Sequence, residues 1–83
     1  MNEQMILDFI NEHYGHCLEE EIHLKNRDII LKGYKHLIIL EPNFMNPEVY
    51  HTRKFTNYRD HPTCLKTVTT LDQLNTYLHK HLF

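Results

Sequence analysis

Leu37-Ile38-Ile39-Leu40, followed by Glu41-Pro42, is the stretch that decides the fold. Four aliphatic residues in a row leave no polar position for either side of a strand. The stretch therefore reads as a central strand covered on both faces. It is far shorter than the roughly 20 apolar residues of a membrane span. Pro42 ends it, and Glu41-Pro42-Asn43-Phe44-Met45-Asn46-Pro47 reads as the one clear loop.

Outward on the N-terminal side, residues 28–33 carry Ile29, Ile30 and Leu31 and read as a neighbouring strand, with a turn at Gly33-Tyr34-Lys35. Before it, Ile22 and Leu24 alternate with His23 and Lys25, the period of a strand with one buried face. Asn26-Arg27 or Arg27-Asp28 supplies the turn between them. Outward on the other side, residues 49–58 are rich in β-formers: Val49, Tyr50, Thr52, Phe55, Thr56 and Tyr58. Arg59-Asp60-His61-Pro62 reads as a turn and Leu65 to Thr69 as a last short strand.

A helix stands at each end. In residues 2–14 Asn2 is the expected N-cap. Met5, Ile6, Phe9, Ile10, His13 and Tyr14 share one broad face. Gly15 is the expected left-handed stop. At the other end Thr70-Leu71-Asp72-Gln73 has the capping-box pattern. Leu71, Leu74, Leu78 and Leu82 form one stripe, flanked by Tyr77 and His81. The spacing thus predicts one α+β domain over residues 1–83, in the order α-β-β-β-β(-β)-α. Short connections make the sheet antiparallel, and the two helices pack on one face and leave the other open.

Bulk properties narrow the function. The 83 residues carry a net charge of −2 and only two glycines. Residues 1–48 hold nine acidic and four basic side chains, and residues 49–83 hold two and five. The chain is too nearly neutral for a general nucleic-acid coat. Gly15 and Gly33 are too few and too far apart for a phosphate loop. Cys17 and Cys64 make no disulfide framework. The opening Met-Asn-Glu-Gln lacks the character of a secretory signal, so reduced thiols and a cytoplasmic location are expected.

The eight histidines raise the question of metal. His13, His16, Cys17, His61 and Cys64 are candidate zinc ligands, since two closely spaced pairs are the usual supply for a tetrahedral site. The spacing is permissive, and the plainer reading makes both cysteines small core residues. No cofactor and no catalytic group is expected, because nothing in spacing joins a nucleophile to a base.

Tyr50, Arg53, Lys54, Phe55, Tyr58 and Arg59 interleave basic and aromatic groups on a predicted strand. Such a strand suits a protein hot spot or a single-stranded nucleic acid. Alternatively, its rings point to the core and its cations discourage edge pairing. Phe44 and Met45, between two prolines, either cover the edge of the core or anchor a partner. The expectation is a small non-enzymatic interaction protein that binds another protein and also self-associates. Small, motif-poor chains of this composition are common among phage and mobile-element accessory proteins, and an inhibitor or modulator of a larger host protein fits them. The alternatives are a nucleic-acid-binding module using residues 50–59 and a small zinc-stabilised domain.

Overall fold

The computed structural model describes residues 1–56 and 61–83. Helix α1 (Glu3–Tyr14) is followed by a 3-10 turn (Gly15–Cys17) and five strands: β1 (His23–Lys25), β2 (Asp28–Lys32), β3 (His36–Pro42), β4 (Tyr50–Thr56) and β5 (Thr63–Val68). Helix α2 (Leu71–His81) ends the fold. The strands form one antiparallel meander in sequence order, with β3 at its centre. Its connections are too short for parallel crossovers, which take a dozen or more residues.

Both helices lie on one side of the sheet. Ile29, Leu31, Ile38, Leu40, Tyr50 and Val68 point to them and are buried with Ile6, Ile10 and Tyr14 of α1 and Leu74, Tyr77, Leu78 and Leu82 of the C-terminal region. Thr52 is the buried polar member of this layer, and its hydroxyl donates to the Lys66 carbonyl at 2.8 Å. Tyr77 docks α2 by donating its hydroxyl to the Cys64 carbonyl at 2.9 Å. The Tyr14 hydroxyl ties α1 to α2 by donating to the Asn75 side-chain oxygen.

The helices run parallel. Met1 and Met5 border the start of α2 at Thr70–Asp72, while Tyr14 and Phe83 bring the C-terminal ends together with ring centroids 6.2 Å apart. Their last turns hold His13 and, in α2, His79, Lys80 and His81. A positive charge such as that of Lys80 suits the negative end of a helix dipole.

Several expectations change in detail. Asn2 caps α1 by accepting from Met5 N at 2.9 Å, but Gly15 is right-handed (φ −54°) and starts the 3-10 turn instead of stopping the helix. The buried stripe of α1 is narrower than expected, since Met5 and His13 are exposed. Strand β1 is exposed at every position, Leu24 included at 49%. Strand β3 runs through Pro42, which pairs with Tyr50. Strand β5 starts at Thr63, two residues earlier than expected, and is offset against β4 between Thr52 and Lys54, where Cys64 has φ 54°. Thr70 caps α2 through Gln73 N at 3.1 Å, but the Gln73 amide oxygen reaches back to Thr69 N, at 2.7 Å.

The main correction concerns β3. It is central, yet it is covered on one face only. Leu37 and Ile39 point away from the helices and stay partly exposed, because among the described residues no second layer lies over them.

Candidate functional site

The helix-free face is built by strand alternation and register. One row across it is His23, Ile30, Ile39 and Arg53. The next is Lys32, Leu37 and Phe55. A third holds Glu41, His51 and Thr67, with Asp28 beside Lys25. The face is thus aliphatic and aromatic across β2, β3 and β4, with a polar margin at the end where β3 meets the Asn43–Val49 loop. Leu65, 71% exposed on β5, adds a further apolar group at the sheet edge.

Arg53 sits within this apolar ground. Its Nη1 donates to Glu41 at 3.1 Å, a diagonal pair across β3 and β4. Its Nε is buried and has no acceptor among the described residues. A buried donor without an acceptor costs free energy until something supplies one. Asp28 stands nearby. Burial pushes its carboxyl above the ordinary value and the adjacent Glu41 adds to the rise, against the pull of Arg53.

The remaining expected site residues are dispersed. Tyr50 is only 3% exposed and belongs to the core, where burial raises its hydroxyl pKa. Lys54 alternates with Arg53 and Phe55 and therefore points to the helix side. There, with Lys35, it adds to the burial that holds His36 below the usual imidazole range, and His36 Nδ1 has no partner among the described residues. His81, from α2, is also lowered by burial and then by Lys54, Lys80, Lys66 and His36. Tyr58 and Arg59 fall outside the described residues, as does the first half of the expected 59–62 turn. The basic and aromatic side chains of 50–56 are consequently divided between two faces.

Phe44 and Met45 project from the β3–β4 loop, 97% and 85% exposed. They lie beyond Pro42, whereas Phe55 stands opposite Leu37 near the other end of β3. At about 3.3 Å per residue the two aromatic groups are set some 17 Å or more apart along the strands. The loop tip therefore stands apart from the apolar centre of the face and meets it only at the polar margin, where Phe44 shares a hollow with Asp28 and Glu41.

The zinc candidates are also separated. His13 is in the last turn of α1 and His16 and Cys17 in the 3-10 turn after it, while His61 precedes β5 and Cys64 lies at its start, on the outer strand beyond β3 and β4. Among the described residues no three His, Cys, Asp or Glu side chains are grouped to hold a metal ion. No helix among them is long and apolar enough to cross a membrane.

The sequence did not single out Ile30, Leu37, Ile39 or Leu65 for binding. The available signal was the four-residue apolar run itself, in a chain with helices enough for one face. Comparison with known proteins adds no relative: no family model, curated protein or solved structure matches the chain.

Proposed function

We propose that this protein is a non-enzymatic interaction module that docks its helix-free sheet face onto a larger protein. One observation carries the reading: the central strand is apolar on both sides and covered on one. Ile30, Leu37, Ile39 and Phe55 give the face its apolar centre. Five strands about 4.8 Å apart and about 20 Å long span roughly 400 Å² in projection, more once side-chain relief is counted. A standard interface buries about 800 Å² per partner, so the face and its rim have the right scale.

Arg53 gives the partner a chemistry. A carboxylate or carbonyl oxygen presented from an apolar patch would satisfy its Nε and complete a charge-assisted bond. Nucleic acid is the poorer occupant, because Asp28 and Glu41 share this face and Arg53 is already committed to Glu41. Modulation of a host protein by a phage or mobile-element accessory protein is the setting the reading fits.

Affinity capture from source-cell lysate tests it, followed by reconstitution with the purified partner. Wild-type protein should retain one protein that Ile39→Lys and Phe55→Ser variants, checked for folding by circular dichroism, do not. Equal capture by the variants, or recovery of nucleic acid alone, overturns the assignment.

A further inference from the structure

Two features at opposite ends of the molecule fit each other. The first is the β3–β4 loop. Asn43 Oδ1 accepts from Met45 N at 2.8 Å and Asn46 N at 3.0 Å, and Asn46 Oδ1 accepts from Glu48 N at 3.1 Å. Val49 N donates to the Asn46 carbonyl at 3.0 Å, and Asn43 N to the Val49 carbonyl at 2.7 Å. The Asn43 side-chain amide also meets His51 Nε2 at 2.9 Å. This bracing fixes the tip that carries Phe44 and Met45, so little ordering entropy remains to oppose their burial. Two adjacent large apolar side chains held almost wholly in water are the informative kind of exposure.

The second feature is an apolar cleft of about 350 Å3 lined by Cys17, Tyr34, Lys35, Leu82 and Phe83. A cavity of about 150 Å3 takes a benzene ring, so this one has room for the Phe44 ring and the Met45 thioether together. Its rim rings, Tyr34 and Phe83, are themselves exposed. Sulfur-to-aromatic contact adds to the fit of a methionine there.

The two stand at opposite poles by topology. In a meander the β3–β4 loop leaves one end of β3 and the β2–β3 turn, with Tyr34 and Lys35, enters the other. Their immediate charges differ in sign. Asp28 and Glu41 line the hollow beside Phe44, together with Arg27, and Glu48 follows in the same loop. Lys35 lines the cleft.

We propose that this chain assembles head to tail with copies of itself, the Phe44–Met45 finger of one molecule seated in the Cys17–Tyr34–Phe83 cleft of the next. Because finger and cleft lie at opposite poles, the contact is heterologous. It grows into chains or closed rings and does not stop at a two-fold dimer. It leaves the apolar centre of the sheet face free and does not depend on the role assigned to that face.

Sedimentation velocity on the full chain tests this, with two variants that change exposed residues only. Phe44→Asp/Met45→Asp removes the finger, and Tyr34→Glu/Lys35→Glu blocks the cleft. Wild-type protein should gain mass with concentration beyond a dimer. Each variant, with unaltered circular dichroism, should stay monomeric at concentrations tenfold above those where wild type associates. Mixed one to one, the variants should form a dimer and nothing larger, since one intact finger and one intact cleft remain. A monomeric wild type, a wild-type dimer that does not grow, continued association of the finger variant alone, or a mixture that stays monomeric each overturns the proposal.

Discussion

Replacing Arg27 by glycine should stabilise this protein. Asn26 and Arg27 alone connect β1 to β2, across the Lys25–Asp28 pair, and their φ angles are 52° and 72°. Two positive φ values mark the type I′ hairpin, whose preferred sequence is Asn-Gly. Asparagine tolerates the first position. Arginine at the second holds a Cβ in the left-handed region, at about 1–2 kcal/mol. Glycine removes that strain but loses about 0.5–1 kcal/mol in extra chain entropy. The net gain is about 0.5–1 kcal/mol, which for a domain of this size raises Tm by roughly 2–8 °C. Thermal unfolding followed by circular dichroism measures it. The measurement belongs at low concentration, because association would itself shift Tm. Arg27→Ala is the control: it removes the same charge but keeps the Cβ, so it should lie within about 0.5 kcal/mol of wild type. A Tm for Arg27→Gly at or below wild type, or an equal gain for Arg27→Ala, refutes the backbone explanation.

Acid should weaken the fold before carboxylates titrate. His36 and His81 have folded pKa values below the ordinary 6.5, through burial and then the surrounding lysines. The unfolded chain therefore binds more protons below about pH 6.5, and the stability they contribute is full above that pH and lost as pH falls from there through the lowered folded values. Asp28, raised by burial and Glu41, acts oppositely but in a more acidic window. Urea midpoints should fall from pH 8 to 5.5, and His36→Gln/His81→Gln should flatten the decline; an unchanged slope contradicts the assignment. Thr70→Ala removes the cap on Gln73 N and should cost about 1 kcal/mol in denaturant unfolding. A loss below about 0.3 kcal/mol would show that the cap is immaterial to stability.

Local chemistry made the helices and turns readable. The Thr70 cap, the Leu74 and Leu78 stripe and the Asn2 cap depend on residues within four positions of one another, so sequence spacing suffices. What escaped depends on groups far apart in the chain. The right-handed Gly15 follows from the chain continuing into a 3-10 turn that brings Leu18 to bridge Gly33. The offset at Cys64 follows from how β5 meets β4. The exposure of Leu24 follows from its place on an edge strand, which no alternation pattern can reveal.

The site was hidden for two related reasons. A strand divides its neighbours between faces, so the basic-aromatic run at 50–56 never forms one surface. Tyr50, Thr52 and Lys54 go to the helices; His51, Arg53 and Phe55 go to the open side. Conversely, the apolar run at 37–40 was legible as central but not as half-bare, because coverage depends on how many layers the chain can supply. Helices packed side by side sit about 8–10 Å apart, and five strands are about 19 Å across. Two parallel helices are therefore consumed in covering one face of this sheet. Gly33 reinforces the one-sided arrangement, since a Cβ there would come within 3.2 Å of Leu82 Cδ1, so the end of α2 is drawn tightly onto the same side. With both helices held there, no element among the described residues is left to cover Leu37 and Ile39, which is why they stay partly exposed.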